Sequence, residues 1–292
     1  MIIDCHTHIF PFGFITQDIG DWFKRTYNLK DFRFGIDELM KEMDENKVER
    51  SLVLPVIKEN EFETINDYMS KIQKKWPERI ICFGTVNPKN ITLSLRELKR
   101  IKQKLELKGI KLHPTIQEFY PNDERLFKIY ELAEKLGLPI LFHSGFGGLI
   151  QSTDKYSQPI YLDEIACSFN ELKIIIGHGG RYFYDQTAML LRKHKNIYTE
   201  ISTNLPKSTN NENYKNLLLI ELLRKIKIMN GNLKKVFFGS DFPFRTIPET
   251  IELLDSIKNA KKTDLDFSPL EIDDIFKNNI INNFGHIFDI SH

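Results

Sequence analysis

Histidines and an aspartate stand directly after short apolar runs in this chain, and those residue types can hold a divalent metal ion. The first run ends Asp4-Cys5-His6-Thr7-His8. On a regular strand alternate residues point the same way, so His6 and His8 should share a face with Asp4. Two imidazoles two residues apart can grip one ion from a single rigid element. His143 closes the run Pro139-Ile140-Leu141-Phe142-His143, His178 follows Ile174-Ile175-Ile176-Gly177, and Asp241 follows Phe237-Phe238-Gly239-Ser240. A buried polar group without a partner is costly, so such residues after apolar strands point to ligands or to hydrogen-bond partners. Each also admits a duller role: His143 as a satisfied core histidine, Asp241 as the cap of a turn, His6 and His8 as ordinary strand residues.

Only a particular architecture brings these groups together. Strand-like runs rich in Ile, Val, Leu and Phe occur at Ile2–Ile9, Ser51–Val56, Ile80–Val86, Gly109–His113, Pro139–His143, Lys173–Gly177, Ile197–Ile201 and Lys235–Gly239. Their near-continuous apolar character suits parallel strands covered on both faces. Helical patterns lie between them: Ile36–Asn46, Phe62–Trp76, Thr92–Leu107, Glu124–Leu136, Tyr161–Asn170, Arg181–Lys193, Tyr214–Met229 and Pro248–Lys258. Gly137 followed by Pro139, and Gly231, mark helix ends. Ser268-Pro269-Leu270-Glu271 reads as a capping box that opens a C-terminal helix. The pattern predicts an α/β protein, a (β/α)8 TIM barrel with a C-terminal helical extension, in which residues 1–292 form one domain. Active sites in such barrels form at the C-terminal ends of the strands, where these groups lie.

Composition narrows the function further. The formal net charge of +1 offers no footprint for a polyanion, so no nucleic acid is expected as a partner. The Lys-rich stretch from Lys99 to Lys111 alternates with Leu and Ile, as a solvated helix face does. Three cysteines far apart imply no disulfide framework and fit a reducing, cytoplasmic location. No apolar run approaches the ~20 residues of a membrane span, and no secretory signal is expected, because Met1 leads straight into a strand-like run. No G-x-G-x-x-G follows the first strand, which argues against dinucleotide binding.

The chain resembles the amidohydrolase superfamily, in the branch typified by aminocarboxymuconate semialdehyde decarboxylase. The likeness is carried by Asp4-Cys5-His6-Thr7-His8, Gly109-Ile110-Lys111-Leu112-His113-Pro114, Leu141-Phe142-His143, Ile176-Gly177-His178-Gly179-Gly180 and Phe238-Gly239-Ser240-Asp241-Phe242-Pro243. It implies ligation of one divalent ion by His6, His8, His143 and Asp241, with His178 catalytic beside it. TatD-like nucleases typically carry a Glu near strand four and Glu-Thr-Asp at strand eight, where this chain has Lys111 and His113, and Gly239-Ser240-Asp241.

The first expectation is a metal-dependent hydrolase of a small lactone, amide or ester, with Asp241 taking the proton of a metal-activated water and His178 steadying the oxyanion. The alternative is a metal-dependent decarboxylase, a carbon–carbon lyase acting on a small unsaturated or aromatic carboxylic acid. Zinc is the expected ion, although manganese, cobalt and iron(II) also suit His and Asp ligands. Lys111 and His113 on strand four, and Arg181 and Arg245 beyond the His178 and Asp241 motifs, are the expected substrate-binding groups, the arginines by clamping a carboxylate. A carboxylated Lys111 bridging two metals is the lesser reading of that lysine. Glu200, near the end of strand seven, is a candidate hydrogen-bond partner for a ligand histidine. The aromatic connection Pro11–Gly35 is a candidate cover for the pocket mouth. A homodimer is expected on base rates alone.

Overall fold

A computed structural model describes residues 2–10, 34–57, 61–147, 153–204, 216–259 and 267–288. Most of the aromatic connection Pro11–Gly35, and the start of the helix expected at Tyr214, lie outside the described residues.

Among the described residues the strands follow the expected order: β1 (Ile2–Thr7), β2 (Val48–Val53), β3 (Ile80–Cys82), β4 (Ile110–Leu112), β5 (Ile140–Phe142), β6 (Ile174–Ile176), β7 (Ile197–Glu200) and β8 (Val236–Phe237). All pairings are parallel. The regular ladders form a three-stranded sheet, β1-β2-β3, and a five-stranded sheet, β4 to β8 in order. Two narrow seams join them. At one, Gly84 N donates to Gly109 O (2.9 Å) and Lys111 N to Gly84 O (2.8 Å). At the other, Cys5 N donates to Phe238 O (3.0 Å), Asp241 N to His6 O (2.8 Å) and His8 N to Phe242 O (2.7 Å). These bonds close the sheet into the barrel.

The helices are α1 (Ile36–Glu45), α2 (Phe62–Lys75), α3 (Ile91–Arg100), α4 (Pro114–Gln117), α5 (Phe127–Leu136), α6 (Leu162–Ser168), α7 (Tyr184–Lys193), α8 (Leu217–Asn230), α9 (Ile247–Asn259), α10 (Pro269–Phe276) and α11 (Asn278–Phe284). The Ser268 capping box forms as expected, with Ser268 Oγ accepting from Glu271 N. Several boundaries differ from expectation by a few residues, and two of the shifts have clear physical reasons. β2 starts at Val48 rather than Ser51, because Val48 pairs with Ile2 despite the polar Glu49 and Arg50 that follow it. The helix expected from Arg181 begins at Tyr184. The turn before it takes left-handed φ at His178 (57°), Gly179 (63°), Gly180 (65°) and Tyr182 (69°), so α-helical bonding cannot start earlier.

Two apolar layers hold the site in place. Inside the barrel, Ile3, Leu52, Ile81, Leu141, Ile175 and Phe237 are packed with Phe284 and Phe288 from the C-terminal segment. Tyr198 and Phe237 meet the Phe284 ring at 4.9 and 5.5 Å between centroids. The C-terminal extension thus seals the end of the barrel opposite the His and Asp groups; full burial of one such ring contributes roughly 1.5–3 kcal/mol. Outside, residues such as Val53, Ile140 and Ile176 pack against Leu39, Leu98 and Leu190 of the surrounding helices.

β1 departs from regular alternation. Asp4 pairs with Ser51 and Thr7 with Val53, so β1 spends one more residue than β2 over this stretch, which is a bulge. The expectation that Asp4 shares a face with His6 and His8 is therefore corrected. Cys5 packs with the interior cluster and His6 also points inward, while Asp4 turns into the β1–β8 seam.

Candidate metal centre

The bulge sends His6 and His8 to a common point. His6 Nε2 and His8 Nε2 lie 3.1 Å apart. Asp241 Oδ1 lies 3.1 Å from His8 Nε2 and 3.5 Å from His6 Nε2. Four ligands about 2.1 Å from one ion stand roughly 3.4 Å from each other at tetrahedral angles. The spacing of the three atoms is that of ligands around a single ion.

The tautomers follow from the outer partners. His8 Nδ1 faces Leu54 O at 2.7 Å, and a carbonyl only accepts, so Nδ1 carries the proton. His6 Nδ1 faces the Glu200 carboxylate at 2.8 Å and donates likewise. Both Nε2 atoms then present lone pairs towards each other and towards Asp241. Three electron-pair donors converge without a proton between them, and a cation is what such a set accommodates. Burial lowers the His6 pKa well below its ordinary value, with the Lys111, His8 and His113 charges adding to the effect. Burial raises Asp241, and His8 offsets part of that rise.

Glu200 organises the inner wall. Besides His6, it accepts from Ser202 N (2.7 Å) and from the His178 backbone N–H. Burial pushes its carboxyl upward. Gly239 permits this close approach, since a Cβ there would sit 2.6 Å from Glu200 Oε2.

His178 occupies the next layer. Its ring lies 4.6 Å from that of His6. Nδ1 contacts Ser202 Oγ (2.7 Å) and Thr203 Oγ1 (3.0 Å), and Nε2 contacts His143 Nδ1 (2.9 Å). Burial lowers the pKa of both histidines well below the ordinary value. His178 and Asp241 (φ 66°) are non-glycine residues in left-handed backbone, a strain that such sites commonly store.

His143 stands beside the trio. Among the described residues, the groups with ligand atoms within 4.8 Å of one another are His6–His8–Asp241, His6–His178–Glu200 and Asp163–Cys167–His194. The His143 ring stacks on His113 at 3.9 Å, nearly parallel at 10°. Its Nε2 is buried without a hydrogen-bond partner, the condition a metal or substrate contact would relieve.

Of the expected substrate-binding groups, three converge here. Lys111 is buried, with Nζ 3.4 Å from His6 Nε2, and burial lowers its pKa to about 8 against the Glu200 and Asp241 charges that raise it. His113 accepts from Ile116 N through Nδ1 (3.3 Å), which caps α4 and fixes the ring on His143. Arg181 has a buried Nε without a hydrogen-bond partner, and its charge depresses His143 and His178. It lies 5.5 Å from the Tyr182 ring, which pairs with Phe146 at 6.0 Å. Arg245 contacts Glu249 on α9 at 3.5 Å.

At the mouth, Phe10 and Phe244 meet the His8 ring at 6.1 and 5.6 Å. Phe10 N donates to Phe34 O (2.7 Å), so the two ends of the aromatic connection are tied together beside the site.

A family model described as Amidohydrolase matches residues 3–285. The chain belongs to the amidohydrolase family. A 79-residue segment, 27% of this chain and 22% of the relative, is 30% identical to 2-amino-3-carboxymuconate-6-semialdehyde decarboxylase of Dictyostelium discoideum. The matched part thus spans under a quarter of that relative. Among solved structures, 5-carboxyvanillate decarboxylase from Sphingomonas paucimobilis is similar over 99% of each chain (TM-score 0.68, 15% identity). A dihydroxybenzoic acid decarboxylase from Polaromonas, solved with manganese and 2-nitroresorcinol, is similar over 100% of this chain and 97% of that one (TM-score 0.69, 16% identity). At such identities the structural likeness establishes the fold, and this amidohydrolase-family chain is an enzyme of that fold. Among the described residues no helix is long and apolar enough to cross a membrane.

Proposed function

We propose that the protein is a metal-dependent decarboxylase of a small aromatic or unsaturated carboxylic acid. The observation that carries this reading is the His6–His8–Asp241 donor set, spaced for one ion, in a chain whose characterised relatives and structural neighbours include decarboxylases. The hydrolase expected first from the sequence yields to the lyase on those comparisons.

In this reading His6, His8, His143 and Asp241 hold one divalent ion. When bound, such an ion polarises substrate oxygens next to the carboxylate that leaves. Arg181, whose Nε has no hydrogen-bond partner, binds a substrate carboxylate, and Phe146 and Tyr182 flank the ring of the substrate. Asp241, at the edge of the cluster, passes a proton from solvent to the substrate. The carbon–carbon bond breaks, its electron pair stays on the substrate carbon, that carbon takes the proton, and carbon dioxide departs. His178, held neutral by burial and oriented by Ser202 and Thr203, hydrogen-bonds the oxygen on which charge develops.

Manganese is the first ion to load, since the Polaromonas decarboxylase carries it, and zinc the second. Purified protein loaded with each ion is incubated with hydroxybenzoates and unsaturated dicarboxylates while carbon dioxide is measured. Release of one carbon dioxide per substrate consumed supports the proposal. Turnover of lactones or esters without gas release overturns it and restores the hydrolase.

A further inference from the structure

The β1 bulge leaves a backbone N–H without a place in the ladder, and Asp4 takes it. His6 N donates to Asp4 Oδ1 at 3.1 Å. The same oxygen accepts from Ser240 N at 3.0 Å, and Asp4 Oδ2 accepts from Ser240 Oγ at 2.6 Å. Ser240 Oγ in turn accepts from Phe242 N at 3.1 Å. Asp4 and Ser240 are both fully buried. One carboxylate thus grips the bulge that aims His6 and the two residues that flank Asp241, across a separation of 236 positions in the chain.

We infer that Asp4 and Ser240 form a latch that sets the mutual position of His6 and Asp241, which makes Asp4 a positioning residue. Several donors converging on one buried carboxyl group are directional, which suits them to fixing a register between two segments. A regular strand would turn the His6 ring out of the barrel, and the bulge persists because its freed N–H has an acceptor. Without the latch, the trio keeps its residues but loses its spacing. The consequence for an ion rests on the metal-site reading proposed above, whereas the consequence for the His6 ring does not.

Ser240→Ala removes only the hydroxyl, and Asp4→Asn keeps the volume of the side chain. In the metal-free wild type, the His6 Nδ1–H held by Glu200 should give a slowly exchanging ring proton by nuclear magnetic resonance. Both variants should lose or broaden that signal. Manganese affinity by chelator competition should fall about ten- to hundredfold in each, with a less than additive loss in the double variant. Cobalt-loaded variants should show a changed visible spectrum. Asn279→Ala, at the opposite end of the barrel, controls for lost stability and should leave both readouts at wild-type values.

An unchanged His6 signal in Ser240→Ala overturns the latch whether or not any ion binds. Unchanged manganese affinity in that variant, with a wild type that does bind, overturns it too. A wild type that binds no ion sinks the metal reading, and the ring signal still decides the latch. If Asp4→Asn does not fold, Ser240→Ala decides alone.

Discussion

Glu200 on β7 accepts the Nδ1–H of His6 on β1 at 2.8 Å, from 194 positions further along the chain. This contact fixes the tautomer of His6 and turns its Nε2 lone pair towards Asp241. Glu200→Gln retains the shape but removes the charge, so metal affinity should fall about ten- to hundredfold while the metal-free fold persists. Isothermal titration with manganese, beside circular dichroism of the metal-free protein, checks this. Equal affinity in the variant would remove Glu200 from the account.

His178 touches the histidine cluster without belonging to the His6–His8–Asp241 set. His178→Gln should therefore leave metal content near the wild-type level and lower kcat by about 10²- to 10⁴-fold. Metal analysis and turnover on the same preparation separate the two effects. Loss of the ion along with activity would recast His178 as a ligand.

Arg181 offers a guanidinium whose Nε has no protein partner beside the cluster. Arg181→Met should raise KM for a carboxylated substrate about 10- to 100-fold, in line with the roughly 1.5–3 kcal/mol of a charged hydrogen bond, and leave metal affinity intact. The effect should vanish with a substrate analogue that lacks the bound carboxylate. A variant with unchanged KM for both substrates would exclude Arg181 from substrate binding.

Lys111 gives a pH dependence of defined sign. Burial lowers it from 10.5 to about 8, so between those values the unfolded chain carries a proton that the folded protein has lost. Stability contributed at this position therefore rises as pH climbs through that window, and the cost of the buried charge is fully present below pH 8. Metal-free Lys111→Met should exceed the wild type in stability near neutrality. That gap should shrink by about 3 kcal/mol towards pH 10.5. Urea unfolding at several pH values measures the gap, and a gap independent of pH contradicts the buried-charge reading.

The strands and the histidine pair were legible in the sequence because they rest on local pattern. Apolar runs such as Ile174–Ile176 announce buried parallel strands, and His6 and His8 stand where such a run ends. The bulge was not legible. It depends on pairing between Asp4 and Ser51 and on a hydrogen bond to Ser240 from the far end of the chain, and neither leaves a local trace. The same holds for His113, whose ring is fixed by stacking on His143 and by capping a four-residue helix that periodicity is too short to reveal. Arg245 and Arg181 looked equivalent in the sequence. The approach of Glu249 to Arg245, and the charge that Arg181 exerts on His143 and His178, tell them apart.

In the proposed site one ion sits between His6, His8 and Asp241. Crystals grown with manganese, and measured for anomalous scattering, test it most directly. A single strong peak is expected, bonded to His6 Nε2, His8 Nε2 and Asp241 at about 2.1–2.2 Å, with His143 turned to join them. A peak elsewhere, or none at saturating manganese in a protein that still releases carbon dioxide, contradicts it.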